Sequence, residues 1–340
     1  MDLTGTSVIV TGAGRGLGRA YAVALGTAGA SVLVNARNDD AAALVVEEVR
    51  RAGGRAEPAV LDVGSAEAAD RLVARAVDAF GRLDAMVCNA GIVRDRVLWK
   101  MSDDDFDEVV RTNLRGTFTC GRAAATFLRQ QGDGGTIVLA GSPSGQRGNF
   151  GQSNYAATKA GVAAMARTWA AELARADITV NAVVPTAATR MASGIPLFAP
   201  YVEAMERGEP IPPVVRRVGA FGPPEDAAGL VVYLVSPAAR HVTGQCIGVG
   251  GDKVSLWSAP RELAAAYHDG GWQADDLAEA FQAAFGANLQ PYGGQLPDIP
   301  EHPSVLAARP VANSQAPAGP AEMPAPPAAA HAVAAGATTG

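Results

Sequence analysis

Charge is scarce in this sequence: 18% of its 340 residues are Asp, Glu, Lys or Arg, and they sum to −6. A protein that grips nucleic acid gathers a surplus of Lys and Arg on one face, so no nucleic-acid partner is expected. Cysteine is rarer still. Cys88, Cys120 and Cys246 lie far apart, match no metal-ligand spacing and predict no metal site. Cys88 and Cys246 fall inside apolar runs, as buried thiols in a reducing compartment do. No apolar run is long enough to span a bilayer, so no membrane span is expected. The first apolar run begins within ten residues of Met1 and leaves no room for a secretory leader; the expected location is the cytoplasm.

What the sequence has is hydrophobic residues, 48% of the total, in runs of two alternating kinds. Short β-branched runs at 8–10, 31–35, 56–61, 85–88, 136–140, 178–184 and 246–249 read as strands. Alanine-rich stretches at about 16–28, 40–51, 66–80, 103–111, 116–130, 154–176 and 225–234 read as helices. That alternation predicts an α/β fold, a single doubly wound parallel sheet covered on both faces, over residues 1–252. Residues 185–224 have no clean period and many Pro and Gly, and are expected to form a substrate loop or lid. A helical extension is expected over 253–302, with Asp275 as a cap and Leu277, Phe281 and Phe285 as an apolar stripe. That stripe needs a surface, either the main domain or a neighbouring subunit. Residues 303–340 are nearly all Ala, Pro and Gly and are expected to be disordered. There is no internal repeat.

Two local patterns carry chemistry. The strand at 8–10 breaks into Thr11-Gly12-Ala13-Gly14-Arg15-Gly16-Leu17-Gly18 and re-forms as a helix. Such a turn aims free helix N–H groups at whatever sits above it, and an anion, usually a pyrophosphate, is the natural occupant. The spacing is T-G-x-x-x-G-x-G rather than the common G-x-G-x-x-G. Further on, Tyr155 and Lys159 stand four apart and share a helix face. A phenol, with a reference pKa of about 10, is a poor proton donor or acceptor at neutral pH. An ammonium one turn away is expected to stabilise its anion.

Taken together, Gly12, Gly16, Gly18, Asp62, Asn89-Ala90-Gly91, Asn113, Ser142, Tyr155 and Lys159 closely resemble the motifs of the short-chain dehydrogenase/reductase family. The resemblance covers residue 6 to about 251. It implies an oxidoreductase with a nicotinamide cofactor and a catalytic set of Ser142, Tyr155, Lys159 and Asn113. In that role Ser142 hydrogen-bonds the substrate oxygen and Tyr155 passes a proton. Lys159 holds the nicotinamide ribose and lowers the Tyr155 pKa, and Asn113 helps to hold a relay water. The cofactor residues it implies are Thr11, Gly12, Gly14, Arg15, Gly16, Leu17 and Gly18 in the turn, then Arg37, Asp62 and Val63, and Asn89, Ala90 and Gly91. Tyr155, Lys159, Pro185, Thr186 and Thr189 complete that set. The family usually has Pro-Gly where Pro185-Thr186 stands here, and Thr189 best matches its carboxamide-contacting threonine.

The end of the second strand reads Val34-Asn35-Ala36-Arg37, without the acid that would repel a 2′-phosphate. With Arg37 and Arg15 near the ribose, NADP(H) is expected in preference to NAD(H). Substrate contacts are expected from Ser142, Ser144, Gln152, Tyr155, Leu197, Phe198 and Tyr201. Leu197, Phe198, Tyr201, Val214 and Val215 are expected to give an apolar rim.

The stretch 148–152 resembles both the 3-oxoacyl-[acyl-carrier-protein] reductases and the (3R)-hydroxyacyl-CoA dehydrogenase module of multifunctional β-oxidation enzymes. The expected activity is therefore interconversion of a secondary alcohol and a ketone on a small molecule or an acyl thioester. The alternatives are dehydrogenation of a steroid or other hydrophobic alcohol, or a cofactor-binding scaffold or redox sensor. The family also implies a homodimer or homotetramer.

Overall fold

Residues 7–10 carry no polar alternation because both faces of their strand are covered. In the computed structural model, which describes residues 1–65, 67–290, 298–300 and 302–303, they are fully buried. The strands are β1 (Ser7–Val10), β2 (Ser31–Ala36), β3 (Arg55–Val60), β4 (Ala85–Cys88), β5 (Gly135–Ala140), β6 (Ile178–Pro185), β7 (Cys246–Gly250) and β8 (Lys253–Trp257). Their order in one sheet is β3-β2-β1-β4-β5-β6-β7-β8. The first seven are parallel, and the order reverses between β1 and β4, which opens a crevice at their C-terminal ends.

Eleven α-helices are described. They are α1 (Gly16–Thr27), α2 (Asp39–Arg51), α3 (Ala68–Phe80), α4 (Asp103–Val109), α5 (Gly116–Gln131), α6 (Pro143–Arg147), α7 (Ser153–Leu173), α8 (Ala199–Glu206), α9 (Pro213–Arg217), α10 (Ala228–Val235) and α11 (Ala274–Phe285). Successive strand residues face opposite ways. Val8, Val10 and Val34 pack with Leu25, Val49 and Leu234 of α1, α2 and α10. Ile9, Met86 and Ile137 pack with Leu72, Leu128 and Val162 of α3, α5 and α7.

Two features depart from the sequence expectation inside this unit, Met1–Glu301. The sheet does not stop at residue 252: β8 turns back at Gly250–Lys253 and pairs antiparallel with β7. The extension is thus strand first and helix second. The strand was hidden because Lys253-Val254-Ser255-Leu256-Trp257 alternates polar and apolar with both Val254 and Leu256 exposed, which reads as surface. In α11 the cap is Gln273, paired in a capping box with Asp276, and Asp275 lies in the first turn. Leu277 and Phe281 are exposed, so among the described residues the apolar stripe is not covered by the main domain. The disorder expected over 303–340 lies, save for residue 303, outside the described residues. No helix among the described residues is long and apolar enough to cross a membrane.

Residues 185–224 fold into a cap of their own. Phe198 stacks on Phe221 with ring centroids 4.3 Å apart, and Tyr201 and Val215 are buried beneath them.

Candidate active site

The expected helix over 103–111 ends at Val109. The chain widens into a π-helical turn, Val110–Arg115, before continuing as α5. Such turns are frequent at functional sites because they re-aim one side chain. Here that side chain is Asn113. Its Oδ1 accepts from the Ile92 N–H at 2.8 Å and its Nδ2 donates to the Ile92 carbonyl at 2.9 Å, which pins the loop after β4.

Ser142 follows β5 and caps α6, accepting from the Ser144 N–H at 3.2 Å. Its hydroxyl also hydrogen-bonds the Tyr155 phenol. Tyr155 and Lys159 lie one turn apart on α7, and both are buried. α6 seats directly on this face of α7. A Cβ at Gly145 would fall 2.6 Å from the Lys159 Cβ, so only glycine allows the approach. Ser142, Tyr155, Lys159 and Asn113 are thus brought to one place.

Burial pushes the Tyr155 hydroxyl up to about 12; the Ser142 hydrogen bond pulls it back and the negative charge of Asp95 adds to the rise. Burial pushes Lys159 down to about 8, against a small upward effect of Cys88. The net lowering expected for Tyr155 is not found: burial sets its hydroxyl above the ordinary phenol value. The Lys159 Nζ donates to the Ala140 carbonyl at 2.6 Å and lies 5.6 Å from the Tyr155 ring centroid.

The glycine-rich turn has the features a dinucleotide requires. Gly12 has φ +64°, and a Cβ there would lie 2.7 Å from the Ala90 Cα, so the turn and the 89–91 segment close on one another. Thr11 ties them further, its Oγ accepting from the N–H groups of Asn89 and Ala90. The first turn of α1 has neither a side-chain cap on Arg15 nor an acidic residue, which leaves its N–H groups free for an anion. A Cβ at Gly91 would enter the space beside Asn113 Oδ1 and Lys159 Nζ, 3.3 and 3.8 Å away. These residues can hold the cofactor; nothing in their placement opposes it.

The other expected cofactor residues are placed as follows. Arg15 and Arg37 are exposed. Asp62 accepts from the Gly64 N–H and pairs with Arg111 at 3.1 Å. Burial raises its pKa, but those bonds outweigh it and leave the carboxyl below its ordinary range. The Val63 side chain turns into the core against Gly116. Asn35, at the end of β2, was not singled out in the sequence. It is buried, donates to the carbonyls of Ala59 and Leu61, and accepts from the Gly12 N–H.

From Tyr155 a cleft of about 620 Å³ extends toward β8, lined also by Ser142, Ser144, Gln152, Leu17, Pro185, Thr186 and Thr189. The amide of Gln152 is committed: Oε1 accepts from Ser144 Oγ and Asn149, and Nε2 donates to Asp95. Of the expected apolar rim, only Phe198 lines the cleft. Leu197 packs at the edge of the cap core, and Tyr201 is buried in it with its hydroxyl donating to the Pro300 carbonyl. Val215 is buried and Val214 is exposed to solvent. A stretch without periodicity does not reveal which of its apolar residues turn inward. The lining residues sequence reasoning missed include Arg147, Ile195, Phe221 and Trp257. Trp257 lay past the boundary drawn at 252, and Phe221 sat in the aperiodic run.

The comparisons with known proteins agree with this geometry. The short chain dehydrogenase family profile matches residues 6–196, and the chain belongs to that family, an oxidoreductase with a Rossmann-type sheet. A 3-oxoacyl-[acyl-carrier-protein] reductase of Synechocystis is 39% identical over 255 residues, 74% of this chain and 98% of that one. The hydroxyacyl-CoA dehydrogenase ChsB1 of Mycobacterium tuberculosis is 40% identical over 276 residues, 76% of this chain and 81% of that one. Among solved structures, a short chain dehydrogenase from Mycobacterium avium superimposes with a TM-score of 0.74. It is 34% identical and covers 86% of this chain and 100% of that one.

Proposed function

We propose that this oxidoreductase is NAD(P)(H)-dependent and interconverts a 3-hydroxyacyl and a 3-oxoacyl thioester. The observation that carries the reading is the meeting of Ser142 and Tyr155 on the wall of one cleft, with Lys159 one turn further along α7. Both named relatives described above act on acyl chains joined to a carrier or to CoA.

In this reading Ser142 donates to the ketone oxygen and fixes the carbonyl. Tyr155 delivers its proton to that oxygen in reduction and takes one back in oxidation. The phenol is protonated at neutral pH, as a proton donor must be. Lys159 and Asn113 border the space beside Gly91, where the nicotinamide ribose would lie. The cofactor, when bound, supplies or accepts the hydride. Its pyrophosphate would rest on Gly12, Gly14, Gly16, Leu17 and Gly18, with Asn89, Ala90, Pro185, Thr186 and Thr189 around it. NADP(H) is preferred because Arg37 and Arg15 offer guanidinium donors and no acid stands at the end of β2. We place the protein in the cytoplasm as a homodimer or homotetramer.

A substrate panel tests the reading: oxidation of NADPH and NADH with acetoacetyl-CoA, a 3-oxosteroid and a polyol-derived ketone. The thioester is expected to be turned over with the highest kcat/KM. A clear preference for the steroid or the polyol ketone would refute the substrate assignment while leaving the Ser142–Tyr155 chemistry in place.

A further inference from the structure

The outer wall of the cleft carries two cationic side chains, Arg147 and Lys253. Arg147, at the end of α6, is exposed and carries its guanidinium over the Trp257 ring, 5.8 Å from the centroid. Lys253 opens β8 and lines the same cleft. Among the described residues neither side chain makes an ion pair or a hydrogen bond. The indole Nε1 of Trp257 is buried with no partner among the described residues. A Cβ at Gly248 would lie 3.1 Å from that indole nitrogen, so the absent side chain keeps the floor of the wall open. Asp298 is the single carboxylate among the described lining residues. Two cations against one carboxylate leave the wall with positive charge, and the Arg147 guanidinium, braced on Trp257, offers a planar fork of donors to an oxygen anion.

We propose that this wall is an anion subsite, in which Arg147 and Lys253 hold a phosphate or carboxylate carried by the substrate away from its reacting carbon. The anion is not the cofactor's. The pyrophosphate turn follows β1, and β8 is five strand spacings from β1 in the sheet, about 24 Å. The proposal rests on the cleft being the substrate site of the thioester reaction. It adds that the enzyme selects charged substrates over uncharged ones of equal acyl length. Arg147 gives a planar fork braced by Trp257, whereas Lys253 gives a mobile point charge.

The test compares three acetoacetyl-type substrates: the N-acetylcysteamine thioester, which is uncharged, the CoA thioester, and an N-acetylcysteamine thioester with a carboxylate at the far end of the acyl chain. The wild type is expected to favour one charged thioester over the uncharged one. Which of the two it favours identifies the anion as head-group phosphate or acyl-end carboxylate. Arg147→Gln and Lys253→Met should each cut that preference by about tenfold, mainly through KM, and Arg147→Lys should keep part of it. Lys253 is exposed, so its variant reports even if loss of Arg147 disturbs Trp257. A wild type that favours neither charged thioester, or a preference that both variants keep, overturns the subsite. If the wild type turns over no thioester, the functional reading has failed and free CoA binding by calorimetry decides the subsite. Binding lost in Lys253→Met supports it. No binding, or binding equal in wild type and variant, overturns it.

Discussion

The ammonium of Lys159 donates to the main-chain carbonyl of Ala140 at 2.6 Å, joining the middle of α7 to the end of β5 two residues before Ser142. The bond is to a neutral acceptor, so the charge is held without a counter-ion in a buried setting. That is why burial brings its pKa down to about 8.

This has a consequence for stability. Between pH 8 and 10.5 the folded protein has lost the Lys159 proton and the unfolded chain has kept it. Stability then rises with pH across that window, and below pH 8 the full desolvation cost is present. The difference in unfolding free energy between wild type and Lys159→Met should therefore shift by about 3 kcal/mol in favour of wild type from pH 8 to 10.5. Urea denaturation of both proteins at several pH values measures it. A flat difference would contradict the burial account.

Asn35 is the residue on which the glycine-rich turn leans. Asn35→Leu leaves the Ala59 and Leu61 carbonyls and the Gly12 N–H without their partner, and should cost about 2–4 kcal/mol. Asn35→Asp is sharper. From sequence alone it would convert the end of β2 toward NAD(H). In this fold the new carboxylate would face two carbonyl oxygens, so it should lower the Tm and leave NADH affinity no better. A gain in NADH kcat/KM at unchanged Tm would show that the side chain points to the ribose.

These two residues mark how far the sequence could be read. β1 to β7 and the longer helices between them were legible because burial on both faces writes itself as β-branched runs and alanine-rich periods, whereas the short α6, α8 and α9 were not. The Ser142, Tyr155, Lys159 and Asn113 set came from the family resemblance, and only the Tyr155–Lys159 pair, four apart on one helix, follows from spacing alone. The inward turn of Asn35 was not, since a polar residue ending a strand looks the same whether it faces ligand or core. Tyr201 failed for the converse reason: an amphipathic ring in an aperiodic stretch suits a pocket or a cap core equally, and its hydroxyl found Pro300. β8 and its Trp257 came from beyond the point where the apolar runs stop, so the outer wall of the cleft was invisible.

Cofactor choice turns on Arg37. It is exposed at the end of β2, where its charge reaches Asp62 and helps to hold that carboxyl low. Arg37→Ala should raise the KM for NADPH about tenfold and change that for NADH little, as expected from losing a charge-assisted contact to a phosphate. Steady-state kinetics with each cofactor decide it, and an unchanged NADPH KM would sink the preference.

The central claim is that Tyr155 passes the proton. The direct measurement is oxidation of the reduced cofactor by acetoacetyl-CoA with wild type and Tyr155→Phe, beside thermal melts of both. The account predicts a fall in kcat/KM of about 100-fold or more with the Tm nearly unchanged, because the phenyl ring fills the same buried site. A Tyr155→Phe protein that keeps wild-type turnover would contradict it.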